Sequence, residues 1–310
     1  MTDDVMEVVA VNDRANDREQ VRRHVLFSAF SAVLLLFSFR TVENLFALSA
    51  NWEDKHSTYV GLIPFIAATL IYWDRERIFS ILRTSVLPAA AGFMVSAAIY
   101  FIDLQYGSHL DANDNLTLMT AAVVAAWLAG FMLIYGLPAF RAGLFPLLFL
   151  GLTAPMPTRI MSAMVHFLQQ GSASTVAFLF ALTGTPAYRE GVVFVLPGLT
   201  IEVAEACSGI RSTLGIFIVT LLASHMLLRS NWRRTALILA VIPISLFKNG
   251  IRIVVLTLLA LHLDMRFLTG SLHHDGGIVF MLLGLLLMYP VLSLLIRSEA
   301  RNHIVSGVRS

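Results

Sequence analysis

The single cysteine of this 310-residue chain, Cys207, lies in the heptapeptide Glu205-Ala206-Cys207-Ser208-Gly209-Ile210-Arg211. Acid, thiol, hydroxyl and base are packed together just before a long apolar run. Arg252, with Asn249 and Gly250 beside it, lies inside a second apolar run, and His273 and His274 stand at the mouth of a third. Thiol, guanidinium and imidazole together point to acyl transfer on a peptide. A thiolate attacks a carbonyl, an imidazole moves protons, and a cation stabilises the charge that develops. The start of a helix offers unpaired N–H groups that favour an anion, and Arg211 follows Cys207 by one turn, so both lower the thiol pKa.

Each residue also has a plainer reading. A lone cysteine near a helix start is more often a small buried hydrophobe. Arg252 reads equally well as a structural arginine paired with a carbonyl or an acid, since burying it alone costs several kcal/mol. The two histidines could be ordinary interfacial loop residues. Ser208 is an alternative nucleophile, but a thiol is intrinsically the better one. A metal site is disfavoured because adjacent His273, His274 and Asp275 cannot easily converge on one ion and no His-Glu-x-x-His helix exists. Phosphate-loop and dinucleotide fingerprints are absent too, so neither cofactor nor metal is expected.

The elements that must hold these groups are membrane helices. Hydrophobic residues make up 57% and charged residues 14% of the chain, and mean hydropathy is +0.76, far from a soluble domain. Crossing roughly 30 Å of hydrocarbon takes about 20 apolar residues. Candidate spans fall at about 26–47, 57–73, 85–103, 116–136, 139–154, 210–228, 235–260 and 275–296. The fifth is short and carries Pro146, with Pro155 and Pro157 at its end. The fold class expected is an all-α polytopic membrane protein with about eight transmembrane helices, one integral-membrane domain over residues 1–310.

Arginines set the orientation. Arg75, Arg77 and Arg83, Arg141, Arg229, Arg233 and Arg234, and Arg297 and Arg301 fall in alternate connections, matched by Arg14, Arg18, Arg22 and Arg23 before the first span. The positive-inside rule then puts both termini in the cytoplasm. Most arginines lie in short loops and form no stripe, which argues against nucleic-acid binding. Residues 160–209 become an outer-face segment leading into the Cys207 motif. Its first half reads as a helix lying on or dipping into the membrane, with a hairpin of two short helices as the alternative. Tyr188–Val203 reads as two short strands around a turn at Pro197-Gly198, a β-hairpin delivering Cys207 to the sixth helix. On this topology Arg252 sits about two turns before the outer end of the seventh helix, at the level of Cys207 and the histidines.

At these residues the chain resembles the exosortase/archaeosortase family of membrane-embedded cysteine transpeptidases. The likeness rests on Glu205-Ala206-Cys207-Ser208-Gly209-Ile210, on Asn249-Gly250-Ile251-Arg252-Ile253, and on His273 followed by Gly277 and Phe280. Ile278 stands where many relatives carry tryptophan, and His56-Ser57 reverses the family's usual order. The resemblance implies Cys207 as nucleophile with Arg252 and His273 completing the catalytic set. Glu205, Ser208, Arg211, Asn249 and His274 are possible support.

It also implies a multi-pass protein of the bacterial inner membrane whose outward-facing site cuts exported proteins near a C-terminal sorting tail. That tail combines a signature such as Pro-Glu-Pro (PEP-CTERM), a transmembrane helix and a basic cluster. The new carboxyl end would pass to a surface acceptor, and many bacterial members are linked to exopolysaccharide production. Partners implied are tail-bearing proteins, that acceptor and membrane lipid. Two other functions compete: a transporter or flippase for a lipid-linked glycan, and a non-catalytic subunit of an export complex.

Overall fold

The computed structural model describes residues 2–50, 59–205, 208–266 and 277–307. They form two compact units, Met1–Thr158 and Arg159–Ser310.

The first unit begins with α1 (Thr2–Phe37) and α2 (Phe39–Ala50). The first apolar run is thus divided at Ser38, whose hydroxyl donates to the Leu34 carbonyl at 2.7 Å. Next come α3 (Ile63–Trp73), α4 (Arg75–Ile78), α5 (Val86–Tyr106) and α6 (Ala112–Ile134). Helices α5 and α6 pack closely because small residues meet between them: a Cβ on Gly92 would lie 2.9 Å from the Ala129 Cβ. Polar bonds reinforce the pair, Ser96 Oγ donating to Ala122 O at 2.8 Å and Asn115 Nδ2 to Asp103 Oδ1 at 2.8 Å. Aromatic residues join α1 to α6, with the Phe27 and Trp127 ring centroids 4.9 Å apart. The fifth apolar run is not one helix. It is split at Gly143 into α7 (Leu137–Ala142) and α8 (Leu144–Phe149), followed by a 3₁₀ turn over Leu150–Thr153. Pro155 and Pro157 follow and cannot continue the ladder.

In the second unit, α9 (Thr158–Leu182) is one continuous helix, so the alternative of two short helices is not formed. A three-stranded antiparallel sheet follows: β1 (Tyr188–Glu190), β2 (Val193–Leu196) and β3 (Leu199–Glu202), ordered β1-β2-β3. The β2–β3 hairpin is as expected. Leu196 pairs with Leu199 across Pro197-Gly198, and Gly198 supplies the positive φ of 83° that this tight turn requires. Strand β1 was not anticipated, being only three residues of mixed polarity. Alternation turns Phe194, Leu196 and Ile201 inward against Val176 and Phe180 of α9. Gln169 Nε2 donates to Val203 O at 2.6 Å, fixing the chain where it leaves the sheet.

The rest of the unit is helical: α10 (Ile210–Leu227), α11 (Asn231–Leu239), α12 (Val241–His262) and α13 (Gly277–Gly307). Ile216, Leu237, Val241 and Met288 form a shared apolar core. A buried polar clasp closes one end. Glu299 of α13 accepts from the Arg229 and Ser230 backbone amides at 3.0 and 2.8 Å and pairs with Arg233 at 3.3 Å.

Among the described residues, six helical segments are long and apolar enough to cross a membrane: Arg18–Phe37, Val86–His109, Ala112–Ile134, Ile210–Leu227, Asn231–His262 and Val279–Arg301. Leu144–Thr153 and Thr158–Leu182 pass that test only when taken together as an interrupted seventh, and Val60–Trp73 is apolar but shorter. The protein is a mostly helical, polytopic membrane protein carrying a small three-stranded sheet.

Candidate active site

The turn after Cys207 is built around Gly209. Its φ of 76° and ψ of 14° place it in the left-handed region at the head of α10, which a side chain would occupy only with strain. Its carbonyl accepts from Thr213 N at 2.9 Å, Thr213 Oγ1 at 2.9 Å and Ser212 Oγ at 3.0 Å. Upstream, Ser208 N donates to Glu205 O at 2.9 Å. Backbone and hydroxyl bonds together make this a stiff entry to the helix.

Helix α12 is pressed against that turn. A Cβ on Gly209 would lie 2.8 Å from Asn249 Oδ1, so any side chain there would also have to displace the Asn249 amide. Asn249 Nδ2 donates to Ser172 Oγ of α9 at 2.9 Å, and a Cβ on Gly250 would meet Thr175 Cγ2 at 2.6 Å. Asn249 and Gly250 thus seat α12 between α9 and the start of α10. Next to them, Lys248 Nζ donates to Ser212 Oγ. The reach of Arg252 is toward α13, its guanidinium carbon 5.8 Å from the Phe280 ring centroid. Arg252 lies nearly three turns before the end of α12 at His262, deeper than the two turns expected.

The predicted supporting residues divide by exposure. Ser208 is 1% exposed, and its hydroxyl has no hydrogen-bond partner among the described residues. Asn249 is likewise 1% exposed. Glu205 and Arg211 are both exposed, and among the described residues no ion pair joins them. Cys207, His273 and His274 lie outside the described residues. Two side chains at the site were missed, Lys248 and Ser212. The signal was there for Lys248, because a lysine in an apolar span is expensive and marks function or a buried partner. Ser212 looks like any small residue in the first turn of a helix.

A family model for transmembrane exosortases matches residues 52–290. The chain belongs to the transmembrane exosortase family. That match runs from the segment before α3 into α13 and therefore takes in the Cys207 motif, the Asn249–Arg252 motif and both histidines. No curated protein and no solved structure matches the chain. As an exosortase, it has a membrane-embedded, exosortase-type function.

Proposed function

We propose that this exosortase is a cysteine peptidase and transpeptidase that cuts the C-terminal sorting tails of exported proteins at the outer face of the inner membrane. One observation carries the reading. Gly209, two residues after Cys207, Asn249 and Arg252 of α12, and Phe280, near the start of α13, are joined by direct contacts. Described residues from each of the three motifs that carry the resemblance thus lie about one locus.

The chemistry follows from the residue types. The Cys207 thiolate attacks the scissile carbonyl, forming an S–C bond and an oxyanion that Arg252 stabilises electrostatically. Collapse breaks the C–N bond, and His273 gives its proton to the departing amine. An acceptor nucleophile or water, deprotonated by the same imidazole, then attacks the thioester and releases Cys207. His274 is the alternative carrier of that proton. The substrate's own transmembrane helix brings the signature to the site by lateral diffusion.

The chain works as one integral-membrane domain of about eight crossings with both termini in the cytoplasm. Six long apolar segments support a count of that order, with the shorter Val60–Trp73 and Leu144–Thr153 runs read as the second and fifth crossings. Residues 160–209 form the outer-face segment, with α9 dipping into the membrane.

The test is intact-mass analysis of a tail-bearing substrate co-expressed with wild type or with Cys207→Ala. Shortening with wild type alone supports the proposal, and added mass on the new C-terminus identifies transfer. Processing that survives Cys207→Ala sinks it, and absence of processing by expressed wild type favours the glycan transporter.

A further inference from the structure

Lys248 is the most deeply buried charged side chain among the described residues, 1% exposed within an apolar helix. Its ammonium donates to Ser212 Oγ, a neutral partner, and no ion pair reaches it among the described residues. Taking an ammonium out of water costs several kcal/mol unless an opposite charge compensates. The like charge of Arg252 on the same helix, four residues on, adds to that cost. Neither solvent nor lipid can relieve it at this exposure, so snorkelling does not account for the residue.

Among the described residues, the surroundings are short of acid. Helix α10 offers Ser212, while its Arg211 is exposed. Helix α13 brings Gly284, where a Cβ would lie 3.3 Å from Lys248 Cδ, and its Glu299 is committed to Arg233 and the clasp. Helix α9 presents Ser172 and Thr175 to the neighbouring residues of α12, and its Arg159 and His166 are exposed. Helix α11 carries Arg233, bound to Glu299, and Arg234, whose Nε donates to Leu228 O. Glu205 is exposed, and Cys207, His273, His274 and Asp275 lie outside the described residues.

The contacts of the ammonium lead toward the nucleophile motif. Ser212, which accepts from Lys248, itself donates to Gly209 O at 3.0 Å. Gly209 is two residues from Cys207, a reach of at most about 7 Å along the chain. Asn249, the next residue, abuts the same glycine. Positive charge and turn geometry are therefore delivered together.

We propose that Lys248 is a positioning residue for the Cys207 chemistry. Held by Ser212, it braces the Gly209 turn and supplies the buried positive charge that favours the thiolate. The inference rests on Cys207 being the nucleophile. It deepens that reading by giving the thiol an electrostatic partner on α12 besides Arg252.

Because Cys207 is the sole cysteine, iodoacetamide alkylation of the full chain, followed by intact mass across a pH series, reads its thiolate directly. Lys248→Met should raise the midpoint of the rate profile by on the order of one pH unit, since an opposite charge nearby favours the thiolate. Lys248→Arg should restore it, which a purely structural role would not predict. Ser212→Ala keeps the charge but removes its tether and one of the three bonds to the Gly209 carbonyl; it should shift the midpoint the same way by less, so it decides the matter if Lys248→Met does not fold. A wild-type midpoint in a folded Lys248→Met, or in Ser212→Ala where Lys248→Met is unfolded, overturns the inference, as does a Cys207 that never labels. Tail processing separates the two claims. Its loss in Cys207→Ala with an unshifted Lys248→Met midpoint leaves the nucleophile reading standing and removes this one.

Discussion

At the scale of single residues, Gly209 carries the sharpest constraint in the site. It combines a left-handed backbone with a wall, Asn249 Oδ1, 2.8 Å from where a Cβ would go. Gly209→Ala should therefore lose stability by roughly 1–3 kcal/mol from backbone strain alone, read as a lower unfolding midpoint in detergent. The loss should exceed that of Gly184→Ala, a positive-φ glycine with open space around it. Equal losses at the two positions would show that the Asn249 contact contributes nothing. The need for glycine at 209 could be suspected from its place at a predicted helix start. The partner that sharpens the need lies forty residues away on another helix, so no local pattern names it.

Among the elements, the connection between α10 and α11 depends on α13. Glu299 takes two backbone amides and the Arg233 guanidinium, while Arg233 also donates to Ser298 Oγ at 3.0 Å. Glu299→Ala would leave those partly buried amides without their acceptor and Arg233 without its carboxylate, at roughly 1–3 kcal/mol in all. A clear drop in the thermal midpoint is expected, with Cys207 alkylation in the folded fraction unchanged. A variant as stable as wild type would show that water or lipid headgroups replace the carboxylate. The β2–β3 hairpin was legible because alternation and a Pro-Gly turn are signals carried within a dozen residues. The third strand was not, since three polar-mixed residues form a strand only when a neighbour offers its edge. Similarly, hydropathy marked the region of α9 as apolar but not as one unbroken helix. Gln169, Gln170 and Gly171 look like a break, and tertiary contacts such as Gly171 against Leu246 overcome their weak helical preference.

For the whole molecule, the orientation proposed from the arginine pattern makes a direct prediction. In a Cys207→Ala background, where no native thiol remains, a cysteine at the exposed Thr200 of β3 should react with a membrane-impermeant maleimide on intact cells. One at the exposed Asn231, at the start of α11, should react only after permeabilisation. The reverse pattern would invert the topology and move the site to the cytoplasmic side. Membrane residence, the family and the residue types available for chemistry were all determined by the sequence itself. Hydropathy accumulates along a run, and the Glu205–Arg211 and Asn249–Ile253 motifs are contiguous, so each is complete within one stretch of chain. Only the tertiary structure decided that Lys248 bonds Ser212, that Asn249 stands against Gly209 while holding Ser172, and that Glu299 caps a connection about seventy residues earlier. Those pairings depend on how each helix is rotated about its axis and where it crosses its neighbours. That rotation is set by side-chain packing across elements remote in sequence, which no single stretch encodes.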